Sequence, residues 1–190
     1  MIPDWNNSAV LPPVRPGAQG HSPDRSPYRA TMTLVVERFA TSSERIEILR
    51  GLLAFRAALR QSGIATGFQW LNGSFMENKE VLVNAAPNDV DVVTFFQLPA
   101  GIDEQTLVAA NPNLFDNQST KQQFHVDAYS FVLGQPTADF DVRNISYWYS
   151  MWSHRRNGLW KGFVQVDIAA DEDENAGVLL NQIKQERANQ

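Results

Sequence analysis

Gly67-Phe68-Gln69-Trp70-Leu71-Asn72-Gly73-Ser74-Phe75, followed after a spacer by Asn88-Asp89-Val90-Asp91-Val92-Val93, decides how the rest of the chain is read. An apolar run enters a Gly-Ser turn, and a second apolar run carries two carboxylates one residue apart. In a β-strand, side chains at i and i+2 share a face, so Asp89 and Asp91 can hold a cation between them. Val90, Val92 and Val93 face largely the other way or prolong a buried strand. Magnesium prefers carboxylate oxygens and leaves positions open for the phosphate oxygens of a nucleotide. Glycine lets the backbone approach a phosphate closely, and a serine at a helix start offers a hydroxyl and free amides to an anion. Gly73 and Ser74 are therefore candidate phosphate-binding residues, and Asp89 and Asp91 candidate ligands of Mg2+.

The stretch Phe124-His125-Val126-Asp127-Ala128-Tyr129 sets one more carboxylate alone in an alternating apolar pattern. The series hydrophobic-Gly-Ser, spacer, Asp-hydrophobic-Asp and a later strand carboxylate resembles the DNA polymerase beta-type nucleotidyltransferase superfamily. That resemblance implies an α+β fold, a nucleotidyltransferase-like mixed β-sheet flanked by helices. It implies Asp89, Asp91 and Asp127 as catalytic and metal-binding residues, Mg2+ as cofactor and a nucleoside triphosphate as donor substrate. The acceptor is left open among a protein, RNA and a small molecule. The spacer between Ser74 and Asp89 is longer than the family pattern, which suggests an insertion around Glu77 to Pro87. For Asp127 a solvated position on an edge strand is the other reading. His125, two residues earlier, would share its strand face and could contact phosphate or metal, with a hydrogen-bonded structural histidine as the alternative.

A narrower resemblance spans most of the chain. Val10-Leu11-Pro12-Pro13, Arg38-Phe39-Ala40, Glu44-Arg45, the Gly-Ser-Phe turn and Lys161-Gly162-Phe163-Val164 look like a family of uncharacterised small bacterial nucleotidyltransferase-like proteins. The company such domains keep suggests a bacterial defence or toxin and antitoxin setting. The alternative function is a non-catalytic nucleotide-binding or protein-interaction module that retains the fold and acts through a partner protein. A homo-oligomer or separate partner could supply the wall that a second domain would otherwise provide.

Arg155, Arg156 and Lys161 form a compact cationic cluster around the Asn157-Gly158 turn, and could bind the triphosphate or a nucleic-acid acceptor. Capping of the preceding helix is the competing role. The aromatic residues Tyr147, Trp148, Tyr149, Trp152 and Trp160 could stack on a base, although an apolar helix face more often belongs to a core. No P-loop, dinucleotide fingerprint or nucleophile elbow is present.

Composition bounds the class. With 190 residues, 43% of them hydrophobic, the chain suits one well-buried domain. The absence of cysteine removes disulfides, thiolate metal sites and cysteine nucleophiles. A net charge of -5 argues against electrostatic coating of nucleic acid. No apolar stretch approaches membrane-spanning length and the first residues lack a signal-peptide pattern, so a cytoplasmic location away from membranes is expected.

Three regions follow. Residues 1–30 carry six of the ten prolines and read as an ordered proline-rich arm anchored by Trp5, Leu11 and Tyr28. Residues 31–170 read as the nucleotidyltransferase-like domain, and residues 171–190, opening with Asp171-Glu172-Asp173-Glu174, as a solvated acidic polar tail. Within the domain the periodicity predicts helices at Thr33 to Phe39, from a Ser42 cap to Gly63, and at Asp103 to Ala110 and Ile145 to His154. It predicts strands at Phe68 to Leu71, Val90 to Phe96, Gln122 to Leu133 and Trp160 to Ile168.

Overall fold

A computed structural model of the chain describes residues 1–134, 138–169 and 172–189. Its centre is a five-stranded mixed sheet of β1 (Tyr28–Arg29), β2 (Gly67–Asn72), β3 (Val90–Gln97), β4 (Val126–Leu133) and β5 (Val164–Asp167), in the order β1-β5-β2-β3-β4. β2 runs antiparallel to both β3 and β5, whereas β3 and β4 run parallel. The architecture is α+β, with helices on both faces of the sheet.

The face formed by Leu71, Val90, Val92, Phe96, Val126 and Val166 packs on α1 (Met32–Phe39), α2 (Ser43–Gln61) and α8 (Asp173–Ala188). α2 begins where the Ser42 hydroxyl accepts from Arg45 N–H, and ends where Ile64 N–H returns to the Leu59 carbonyl. Its interior positions Ile46, Leu49, Leu52, Phe55 and Leu59 recur every three or four residues, which is why one stripe is buried. A Cβ on Gly51 would sit 1.9 Å from the Phe124 carbonyl oxygen, so glycine is what lets α6 (Asn117–Phe124) close onto α2. That contact fixes where β4 starts.

The other face carries Phe68, Trp70, Val93, Phe95, Tyr129 and Phe131 and is covered by α7 (Asp139–Trp152). Phe68 stacks on Phe95 at 4.9 Å and Trp70 meets Phe95 edge-on at 4.6 Å, offset geometries that aromatic quadrupoles favour. Trp152 is buried in this layer, while Tyr147, Tyr149 and Trp160 keep exposed faces. The remaining helices, α3 (Lys79–Val83), α4 (Glu104–Ala110) and α5 (Pro112–Phe115), connect strands.

Four expectations are corrected. The residues Gln122 to Phe124 are helical, because Asp116 caps a turn that buries Thr120 and Phe124 at i,i+4 spacing. His125 ends that helix with φ 55 and is exposed, so it is a helix stop and shares no strand face with Asp127. The last strand is shorter than expected, beginning at Val164. The described part of the acidic tail is a helix whose Asp173, Ala176 and Leu180 are buried against the body. Arg56 donates to both Asp173 oxygens at 2.9 and 3.0 Å, and Arg60 adds a contact at 2.7 Å. The acidic run is thus partly the counter-charge of α2.

Residues 1–30 lie against the domain through specific hydrogen bonds. Trp5 Nε1 donates to the Met76 carbonyl at 2.7 Å, Tyr28 Oη to the Pro12 carbonyl at 2.7 Å, and Gly162 N–H to the Leu11 carbonyl at 2.7 Å. Val10 and Leu11 are fully buried.

A polar row beside a glycine turn

Asn72 is the register partner of Asp91, and Asp91 is the register partner of Asp127. Register partners on adjacent strands point to the same face, so these three polar side chains form one row across β2, β3 and β4. The row lies at the end of the aromatic face, directly beyond Trp70, Val93 and Tyr129. Asp89 precedes β3 and is 30% exposed, against 15% for Asp127.

Gly73 closes the row on one side. Its φ of 80° and ψ of -167° belong to a region open essentially to glycine, and a Cβ there would lie 2.8 Å from Asp91 Cγ. Ser74 follows as the first residue of a short 3-10 turn, Ser74–Met76, and is partly exposed. The carbonyls behind this turn are held by Arg45, a fully buried side chain that donates to Phe75 O and Glu77 O at 2.6 Å each while pairing with Glu80. The segment from Glu77 to Pro87 contains α3 and anchors the turn through Glu80.

The cationic cluster is divided. Lys161 is 6% exposed and donates to the Gly73 carbonyl at 3.2 Å and to Glu77 Oε1 at 2.9 Å. Arg155 meets the other Glu77 oxygen at 3.2 Å, and Arg156 is exposed. Lys161 therefore lies beneath the glycine turn rather than at an open cleft edge, since a buried ammonium needs a buried counter-charge and Glu77 provides it. Lys121 is a cation that sequence reading missed: from α6 it reaches Asp127 Oδ2 at 2.7 Å and Asp89 Oδ2 at 3.8 Å. Asn117 Nδ2 holds the other Asp127 oxygen at 2.8 Å. No element was expected at residues 117–121 and a strand was expected from Gln122, so the helix that carries both went unread.

Burial pushes the Asp91 carboxyl up to about 6, and the neighbouring Asp89 and Asp127 charges add to this while Lys161 and Lys121 oppose it. The hydrogen bond to Asp127 raises the Lys121 ammonium, keeping it charged. Asn72 is 2% exposed; its Nδ2 donates to the Trp152 carbonyl at 3.0 Å, and its Oδ1 has no partner among the described residues.

Among the described residues no three histidine, cysteine or carboxylate side chains converge as a metal-holding group. A hard cation here would draw on the oxygens of Asp91, on Asp127 once it gives up Lys121 or Asn117, and on Asn72 Oδ1, an all-oxygen set that suits Mg2+ chemistry. Among the described residues no helix is long and apolar enough to cross a membrane. No curated protein and no solved structure matches the chain. Residues 3–167 match the sequence model of a family of unknown function, DUF6932, and the chain belongs to that family.

Proposed function

We propose that this chain is a magnesium-dependent nucleotidyltransferase of the DNA polymerase beta-type superfamily, moving a nucleoside monophosphate from a nucleoside triphosphate to an acceptor hydroxyl. The observation that carries the reading is the placement of Gly73 against the Asp91 carboxylate, with Asp127 in register on the next strand. A turn that can approach phosphate thus adjoins the carboxylates on one sheet face. Asp91 and Asp127, with Asp89 at the rim, would hold Mg2+, which supplies charge neutralisation for the phosphates. Gly73 and Ser74 would face the phosphates, and Lys161 would hold the turn in place through the Gly73 carbonyl. Asp127 would take the acceptor proton as the oxygen bonds to the α-phosphorus, the bond to the β-phosphate breaks and pyrophosphate leaves. Positioning and charge account for most catalysis in such reactions. The proline-rich segment would be an arm bracing this turn, and the substrate implies a cytoplasmic setting.

One observation favours a second reading. Lys121 places a resident positive charge on Asp127 and near Asp89, which would let the fold persist as a non-catalytic module acting through a partner. Incubating the purified protein with Mg2+, each α-labelled nucleoside triphosphate and a cell extract separates the two. Label transfer lost in Asp91→Asn and Asp127→Asn supports catalysis. Nucleotide binding without transfer favours the module, and neither binding nor transfer overturns the enzyme and leaves only a module that works through protein contacts.

A further inference from the structure

Asn72 is the buried polar group that the fold leaves half-used. Its amide nitrogen is committed to the Trp152 carbonyl, which fixes the carboxamide orientation, because only the NH2 end can donate there. Oδ1 is thereby turned away from Trp152, buried and without a partner among the described residues. A carbonyl oxygen desolvated without a partner is costly, so something at this position ordinarily engages its lone pairs. The neighbouring groups in its row are carboxylates, which when ionised offer no donor. The cross-strand Cβ separation is about 4.5–5.5 Å, short enough for the Asn72 and Asp91 oxygens to share one ion. A divalent cation satisfies a neutral carbonyl oxygen and relieves the repulsion between adjacent carboxylates at the same time.

We propose that Asn72 Oδ1 is a neutral oxygen ligand of the divalent cation held by Asp91 and Asp127. This rests on the cation-site reading above and adds to it a ligand from β2, the strand that leads into the glycine turn. The turn and the cation are thereby tied to one strand end, so the phosphate-facing backbone and the metal share a mechanical anchor. Lys121, on an exposed and flexible stem, withdraws as the cation enters. Asp127 then exchanges its ammonium partner for the ion.

The test is Mn2+ binding to the full chain at pH 7, read from the free-ion electron paramagnetic resonance signal, with no nucleotide and no turnover. Unmutated protein, Asn72→Ala, Asn72→Asp and Asp91→Asn are compared, with circular dichroism reporting fold. We expect Asn72→Ala to weaken Mn2+ at least tenfold and Asp91→Asn to abolish binding. Asn72→Asp, which keeps an oxygen and adds charge, binds as tightly or more tightly. Equal affinity in Asn72→Ala with loss in Asp91→Asn overturns the Asn72 assignment alone. Weakening in both position-72 variants also overturns it, because the loss then follows the amide contact to Trp152. Should Asn72→Ala fail to fold, Asn72→Asp decides, and weaker Mn2+ binding there overturns the assignment. Absence of Mn2+ binding in the unmutated protein overturns both this inference and the cation site beneath it.

Discussion

Two groups of charge lie on opposite faces of the same sheet, and they are matched to different degrees. Beneath one face, Arg56 is 2% exposed, yet its donors reach both Asp173 oxygens, Gln69 Oε1 at 2.6 Å and the Asp167 carbonyl at 2.7 Å. Gln69 passes the network on to Thr94 at 3.0 Å. On the other face, Asp89, Asp91 and Asp127 share Lys121 and the field of Lys161, and Asn72 Oδ1 accepts from none of the described residues. A saturated network holds elements together and leaves no capacity for a ligand. An unsaturated one adds little to folding, and its spare acceptors are where a ligand would be bound.

The comparison breaks most visibly at Asp173. Replacing it with Ala strands the Arg56 guanidinium in the core, and removal of one partner of a buried pair costs about 3–5 kcal/mol. Urea unfolding of Asp173→Ala should show a loss of that size. A loss under about 1 kcal/mol would mean that the pair is not what holds the last helix.

Gly73→Ala is next. The backbone conformation disfavours any side chain and the new Cβ meets the Asp91 carboxylate, so about 1–3 kcal/mol should be lost. Repeating the substitution in an Asp91→Ala background should recover part of that loss, and full additivity would remove the contact from the account.

Asp91→Asn should move in the opposite direction. A carboxyl whose folded pKa is raised favours the folded state most below its unfolded value and loses that contribution as pH rises through the folded value of about 6. The chain should therefore be less stable at pH 7 than at pH 4 by this group's share, with Asp89, Asp127, Lys121 and Lys161 as the charges that face it. Asn at position 91 should raise stability near pH 7 by ~1–2 kcal/mol and flatten the slope between about pH 4 and 6. Thermal melts across that window, with other carboxylates unchanged, provide the measurement.

The smallest effect is expected at Lys121. Its side chain is 44% exposed, so Lys121→Met should change stability by less than about 1 kcal/mol. Mn2+ binding should nonetheless tighten, because a competing ammonium is gone. Weaker Mn2+ binding would instead make Lys121 part of the liganded arrangement.

Local rules made β2, β3 and α2 legible, since each carries its own periodicity, cap or turn. The in-register pairing of Asp91 with Asp127 also follows the lone carboxylate visible in the sequence, although the start of β4 does not. The helix from Asn117 to Phe124 can close onto α2 only because Gly51, far earlier in the chain, leaves room for the Phe124 carbonyl. No local pattern carries that information. Lys121 and Asn117 were hidden with it. Glu77 read as part of an insertion, and Lys161 as a free cation, because the pair forms only when β5 and the glycine turn meet. Asn72 carried no signal of its own in the sequence, because what sets it apart is which of its two polar ends finds a partner.

The Arg56 pairing also has a consequence in time. Asp173 follows Arg56 by 117 residues, so a growing chain exposes the guanidinium long before its carboxylate exists. At ~5–20 residues per second, the wait is on the order of ten seconds. Until then α2 presents an apolar stripe interrupted by an unneutralised charge, which discourages the early segments from collapsing onto it. The domain can thus complete its core only late in synthesis, when every strand of the sheet is already available to be sorted into order.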